Sequence, residues 1–225
     1  MKYLLKKFLI ILLLVSCSSN SEDSTIVIKD PDPDTTPVKI TDPFKKLISD
    51  GYNTDTFKFG ATLNFNQLNT DVETLFLKEF DYVVAENSFK QTIVHPEPKV
   101  WNWERVDAFL DFANKNSIQV RVHGPVGPQS SVWAKEDSRT KEELIKIYEE
   151  FFTELCKKVN GEENVKWIDV VNETISKEGG WTMEKTGTGY QNPWTQIGNN
   201  EDGIPLYIIK SFEIAKEHAP NISLV

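Results

Sequence analysis

The stretch Trp167-Ile168-Asp169-Val170-Val171-Asn172-Glu173-Thr174 reads as a β-strand over residues 167–171 that ends in a polar, ionisable pair. Apolar and β-branched residues fill every position of that strand except Asp169, as extended backbone favours. Asp169 reads as a structural hydrogen-bond partner within the strand rather than as a chemical group. Glu173, at the mouth of an apolar strand, is placed where a carboxyl group can be used. Its bland alternative is a strand-end carboxylate that caps the following loop.

Working outward, the same alternation repeats. Residues 57–63 are strand-like, and Thr70 with Glu73 forms a capping box that opens a helix with Val72, Leu75 and Phe76 on one face. Residues 80–85 make a second strand. Asn102 caps a helix whose Val106, Phe109, Leu110 and Ala113 form an apolar stripe. Residues 118–122 are a third strand, followed by a second capping box, Thr140 with Glu143, and a helix turning Leu144, Ile147, Phe151, Leu155 and Val159 inward. Beyond the 167–171 strand, a helix starts near Pro205 and ends before Pro220, and residues 222–225 form a fifth strand. Cys156, on the helix after Thr140, reads as a small core residue.

Repeated βα units imply a parallel sheet, as a barrel or as an open doubly wound sheet, and spacing alone does not choose. No glycine-rich phosphate turn follows the first strand, which argues against a dinucleotide fold. The polar residues favour a barrel. Asn64, Glu86-Asn87, His123 and Asn172-Glu173 fall at the C-terminal ends of four successive strands, the rim where (β/α)₈ barrels collect their chemistry. The expected fold class is α/β, a (β/α)₈ TIM barrel represented by about its first four to five βα units.

With those residues in place, the chain resembles glycoside hydrolase family 10, the endo-1,4-β-xylanase family, from about Phe57 to Val225. The similar motifs are Gly60-Ala61, Ala85-Glu86-Asn87-Ser88-Phe89-Lys90, Val120-Arg121-Val122-His123-Gly124 and the 167–174 stretch. The resemblance implies hydrolysis of internal β-1,4 bonds in xylan or a related plant or algal polysaccharide by a retaining mechanism. Such cleavage uses two carboxyl groups, one to protonate the leaving oxygen and one to attack. It assigns Glu173 as general acid/base, with Asn172 holding a sugar hydroxyl near the cleaved bond. Glu86, Asn87 and Lys90 would bind the sugar on the non-reducing side, and His123 would contact substrate. Nothing in the sequence demands a metal or cofactor.

Two departures stand out. Where the family has a tryptophan and then a second histidine after His123, this chain has Gly127 and Pro128, and Trp133 matches a later tryptophan. That change puts xylan itself in question. The family's nucleophilic glutamate lies on a strand beyond Val225, and about 170 residues follow the first strand's start against roughly 250 in a typical whole barrel. The sequence is therefore expected to be a fragment with little or no hydrolysis by itself. The competing expectation is a catalytically inactive surface glycan-binding lipoprotein. A loop holding Gly179, Gly180, Trp181, Gly187, Gly189 and Trp194 either shapes the cleft or folds over the rim.

The chain's 225 residues carry a formal net charge of −9 and 39 % apolar residues, a balance that supports one packed domain and no nucleic-acid partner. Six Trp and thirteen Phe suit a sugar-stacking cleft, although most aromatic residues in any domain are core. Met1, Lys2, Lys6 and Lys7 with the apolar run 8–15 form an export signal. Leu14-Val15-Ser16-Cys17 resembles a bacterial lipobox with Cys17 as the lipidated residue. The expected organisation is a lipoprotein signal segment (1–17), a disordered Ser/Asp/Thr/Pro-rich tether (18–43) and the partial barrel (44–225), exported and membrane-anchored at the bacterial cell surface or periplasmic face. The expected partners are a polysaccharide or oligosaccharide and the membrane holding the lipid.

Overall fold

The computed structural model describes residues 41–135, 138–177, 179–182 and 192–225. The export signal, Cys17 and the tether up to residue 40 lie outside the described residues, as do Gly187 and Gly189. Among the described residues no helix is long and apolar enough to cross a membrane.

Five parallel strands, β1 (Ala61–Leu63), β2 (Tyr82–Ala85), β3 (Gln119–Val122), β4 (Val165–Ile168) and β5 (Ser223–Leu224), pair in strict sequence order. Helices α1 (Phe44–Gly51), α2 (Asp71–Glu79), α3 (Gln91–Val94), α4 (Glu104–Asn116), α5 (Lys141–Asn160) and α6 (Leu206–His218) lie before and between them. Each strand next to its sequence neighbour, with a crossover helix between, is the winding of a (β/α)₈ barrel, here five of its strands.

The core forms where the apolar stripes predict. Val106, Phe109, Leu110 and Ala113 of α4 are buried, as are Leu144, Phe151, Leu155 and Val159 of α5, with Ile147 packed partly buried against them. Cys156 is buried, and burial pushes its thiol up to about 12. Thr140 and Glu143 make the reciprocal cap that opens α5: Thr140 Oγ1 accepts from Glu143 N–H and Glu143 Oε2 from Thr140 N–H. Thr140→Ala should therefore cost about 1 kcal/mol in urea unfolding, and a change below a few tenths would deny the cap any role.

Three expectations change. On α2 only Phe76 is buried, while Val72 and Leu75 are 44 % and 58 % exposed, so the inward face is narrower than the sequence pattern suggests. Its cap is also shifted: Thr70 Oγ1 accepts from Val72 N–H, and Glu73 Oε2 reaches Asn69 N–H. The first two strands start later than expected because the aromatic residues before them pack sideways. Phe59 lies 6.0 Å from Phe44 and 5.7 Å from Phe80, and α1, not foreseen, is pinned to α2 by Glu79 Oε2 accepting from Phe44 N–H. The fourth strand starts two residues early, at Val165, and its register with β3 slips by one residue at Lys166. That slip turns Trp167 toward the same side as Arg121, with Ile168 and Val170 buried behind. The ladder continues past Ile168, with Asp169 N–H donating to Val122 and Val170 N–H to Val225.

Candidate active site

Polar side chains just past the ends of β1 to β4 meet at one rim. At the end of β1, Asn64 donates through Nδ2 to Glu86 Oε2, just past the end of β2. Asn87 Nδ2 lies 3.5 Å from Asn64 Oδ1, and Lys90 Nζ donates to Asn87 Oδ1 at 2.9 Å. Glu86, Asn87 and Lys90 are thus joined through Asn64, which the sequence placed on the rim without assigning it a role. Lys90 is only 5 % exposed. Burial pushes its ammonium below the ordinary lysine range, while the charges of Glu173 and Glu86 act the other way without reversing the shift.

A second cluster spans β3 and β4. Asp169 accepts from Arg121 through Nε at 2.7 Å and through Nη2, and its other oxygen lies 2.7 Å from His123 Nδ1. Burial raises the Asp169 carboxyl, but the bonds from His123 and Arg121, with the guanidinium charge, outweigh that and hold it below the ordinary carboxylate range. Nδ1 of His123 is committed to Asp169, which fixes the ring plane and leaves Nε2 for another partner. Asp169 is the hydrogen-bond partner the sequence suggests, and Arg121, which the sequence shows only as part of a motif, is its counter-charge. The signal for Arg121 was a charged residue in an otherwise apolar-alternating strand.

Asn172 and Glu173 close the rim. Asn172 N–H donates to Val126 O at 2.8 Å, tying the end of β4 to the loop after β3. Gly124, at φ 62°, brings that loop between Lys90 and the Asn172 side chain, where a Cβ would meet them at 3.2 and 3.5 Å. Glu173 is exposed and left-handed, with φ 54°. Such a backbone is uncommon for a residue with a long side chain and persists where surrounding bonds hold it. Here they do so on both sides. Asn172 is tied to Val126, and Thr182 N–H donates to Thr174 O at 2.8 Å within a hairpin where Ile175 bridges Trp181.

Of the loop tryptophans, Trp194 is 1 % exposed and packs on Tyr148 at 5.2 Å, which makes it core. Trp181 stays half-buried at the hairpin. Trp133 is buried, donating through Nε1 to His95 O, so it stacks away from open solvent.

Residues 48–225 match glycosyl hydrolase family 10. Among curated relatives, endo-1,4-β-xylanase A of Caldicellulosiruptor saccharolyticus is 29 % identical over 76 % of this chain and 47 % of its own length. The β-1,4-xylanase of Dictyoglomus thermophilum is 30 % identical over 76 % of this chain and 44 % of its own. The chain thus spans about half the length of the curated relatives it matches. The crystal structure of an endo-1,4-β-xylanase from Caldicellulosiruptor owensensis superposes with a TM-score of 0.64 at 26 % identity, covering 81 % of this chain and 52 % of that one. With more than three quarters of its length matched, on a fold shared with these enzymes, the chain belongs to glycosyl hydrolase family 10.

Proposed function

We propose that the protein carrying these residues hydrolyses internal β-1,4 bonds of xylan or a related polysaccharide with retention, using Glu173 as general acid/base. The observation that carries this is the pinned, left-handed backbone at Glu173, which sets a carboxylate at a barrel rim beside Asn172 and the buried Lys90. The xylanase relatives supply the substrate class.

In the first step Glu173 gives its proton to the glycosidic oxygen while a second carboxylate bonds to the anomeric carbon, and the sugar–oxygen bond breaks. In the second, the Glu173 carboxylate takes a proton from water, whose oxygen displaces the nucleophile and restores the acid. Glu86, Asn87 and Lys90 hold the sugar on the non-reducing side, His123 contacts the substrate, and Asn172 holds a hydroxyl beside the cleaved bond. The family resemblance puts the nucleophile on a later strand than these five. Cys17 carries the lipid that keeps the enzyme at the membrane, with the 18–43 segment as tether.

The test uses the product of the whole open reading frame on β-1,4-xylan, with proton NMR of the new reducing ends. The β-anomer should appear first and then mutarotate. An initial α-anomer would rule out retention, and xylan binding without any new reducing ends would establish the inactive glycan-binding reading instead.

A further inference from the structure

The peptide that precedes Glu173 lies against the loop after β3. Asn172 N–H donates to Val126 O, so segments 126–127 and 172–173 run against each other. At that crossing a Cβ on Gly127 would sit 2.7 Å from Asn172 O, 3.5 Å from its carbonyl carbon and 3.4 Å from its Cβ. The nearest atom is backbone, which cannot swing aside as a side-chain tip can. Ser130 Oγ donates to Gly127 O at 3.1 Å and holds the loop in place from behind.

The Asn172 carbonyl belongs to the peptide unit that joins Asn172 to Glu173. Pushing that unit rotates it about the N–Cα bond of Glu173, the torsion that stands at 54°. We infer that Gly127 is a positioning residue for Glu173: its missing side chain lets the loop seat against the 172–173 peptide and hold the carboxyl in its working direction. The inference rests on the acid/base role proposed above. It gives Gly127 a role of its own, where the sequence showed only a place without an aromatic side chain.

The experiment compares Gly127→Ala with the parent in the whole open-reading-frame product, on xylan and on an aryl β-xylobioside with a dinitrophenyl leaving group. Misaiming the acid should lower kcat on xylan at least 10-fold, with KM within about 2-fold, and leave first-step release of the activated phenol within about 3-fold. A role in folding alone predicts equal losses on both substrates, and equal losses or none would overturn the inference. Gly161→Ala, whose Cβ would meet nothing within 4 Å, is the control and should match the parent. If Gly127→Ala fails to fold by circular dichroism, Ser130→Ala decides, because it loosens the same loop without a clash. A smaller loss confined to xylan supports the inference; equal losses or none overturn it. Glu173→Ala on the same two substrates separates the failures. If it shows no leaving-group dependence, the acid/base assignment falls; if it does and the loop variants do not, only the role of Gly127 falls.

Discussion

Glu173→Ala in the complete gene product should lower kcat on xylan by on the order of 10²–10⁴-fold, about 3–5 kcal/mol of transition-state stabilisation. A sugar alkoxide leaves badly unless protonated as the bond breaks, and the variant has no proton to give. A dinitrophenolate needs none, so the first step on the activated aryl xylobioside should be nearly unaffected. The second step still lacks its base. Activated substrate should therefore show a burst of phenol, about one equivalent per enzyme, followed by slow turnover as the glycosyl-enzyme waits for water. Because Glu173 is exposed, its truncation leaves no cavity, and the melting temperature should stay within a few degrees. Equal losses on both substrates, with no burst, would remove Glu173 from the acid/base role.

Asp169→Asn should have the largest effect on stability, and that effect should shrink in acid. Asp169 takes bonds from both Arg121 and His123, so the variant leaves a guanidinium without its counter-charge. Breaking a fully buried pair costs about 3–5 kcal/mol. The Arg121 side chain is 35 % exposed, which lets water screen part of this, so about 1–3 kcal/mol is expected at pH 7. The folded-state pKa of Asp169 is depressed, so the unfolded chain binds its proton more readily. The stabilisation is present above the unfolded value of about 3.9 and is lost as pH falls through the lower folded value. Urea unfolding of parent and variant should therefore differ clearly at pH 7 and progressively less as pH falls below about 3.9. A difference independent of pH would show that packing, not charge, makes Asp169 matter.

The order of strands and helices was readable because the apolar periodicities of α4 and α5 are long and each begins at a polar cap. The short strands were read less well at their edges. Phe59 and Phe80 have the composition of strand residues, yet their rings serve a cluster with Phe44 on α1, a contact 15 to 36 positions away that no local pattern reveals. Val72 and Leu75 mislead for the converse reason, being spaced for burial yet left largely exposed. At the site, residues that share a rim were legible from strand ends alone. The Asn64 link and the Arg121–Asp169–His123 cluster were not, because they depend on register, and one slipped residue at Lys166 decides which way β4 faces. The left-handed turn at Glu173 was equally hidden, since glutamate carries no signal for it.

Strict neighbour-to-neighbour pairing from β1 to β5 also orders the protein in time. The widest of the side-chain hydrogen bonds described at the rim joins residues 48 positions apart. At a synthesis rate of about 5–20 residues per second, its two ends leave the ribosome within about 2–10 s of each other. None of these bonds between described rim residues waits for a more distant partner, so this part of the rim can assemble in chain order. The nascent chain thus closes the Asn64–Asn87–Lys90 network first, seats His123 on Asp169 next, and sets the Asn172–Glu173 turn last of the three.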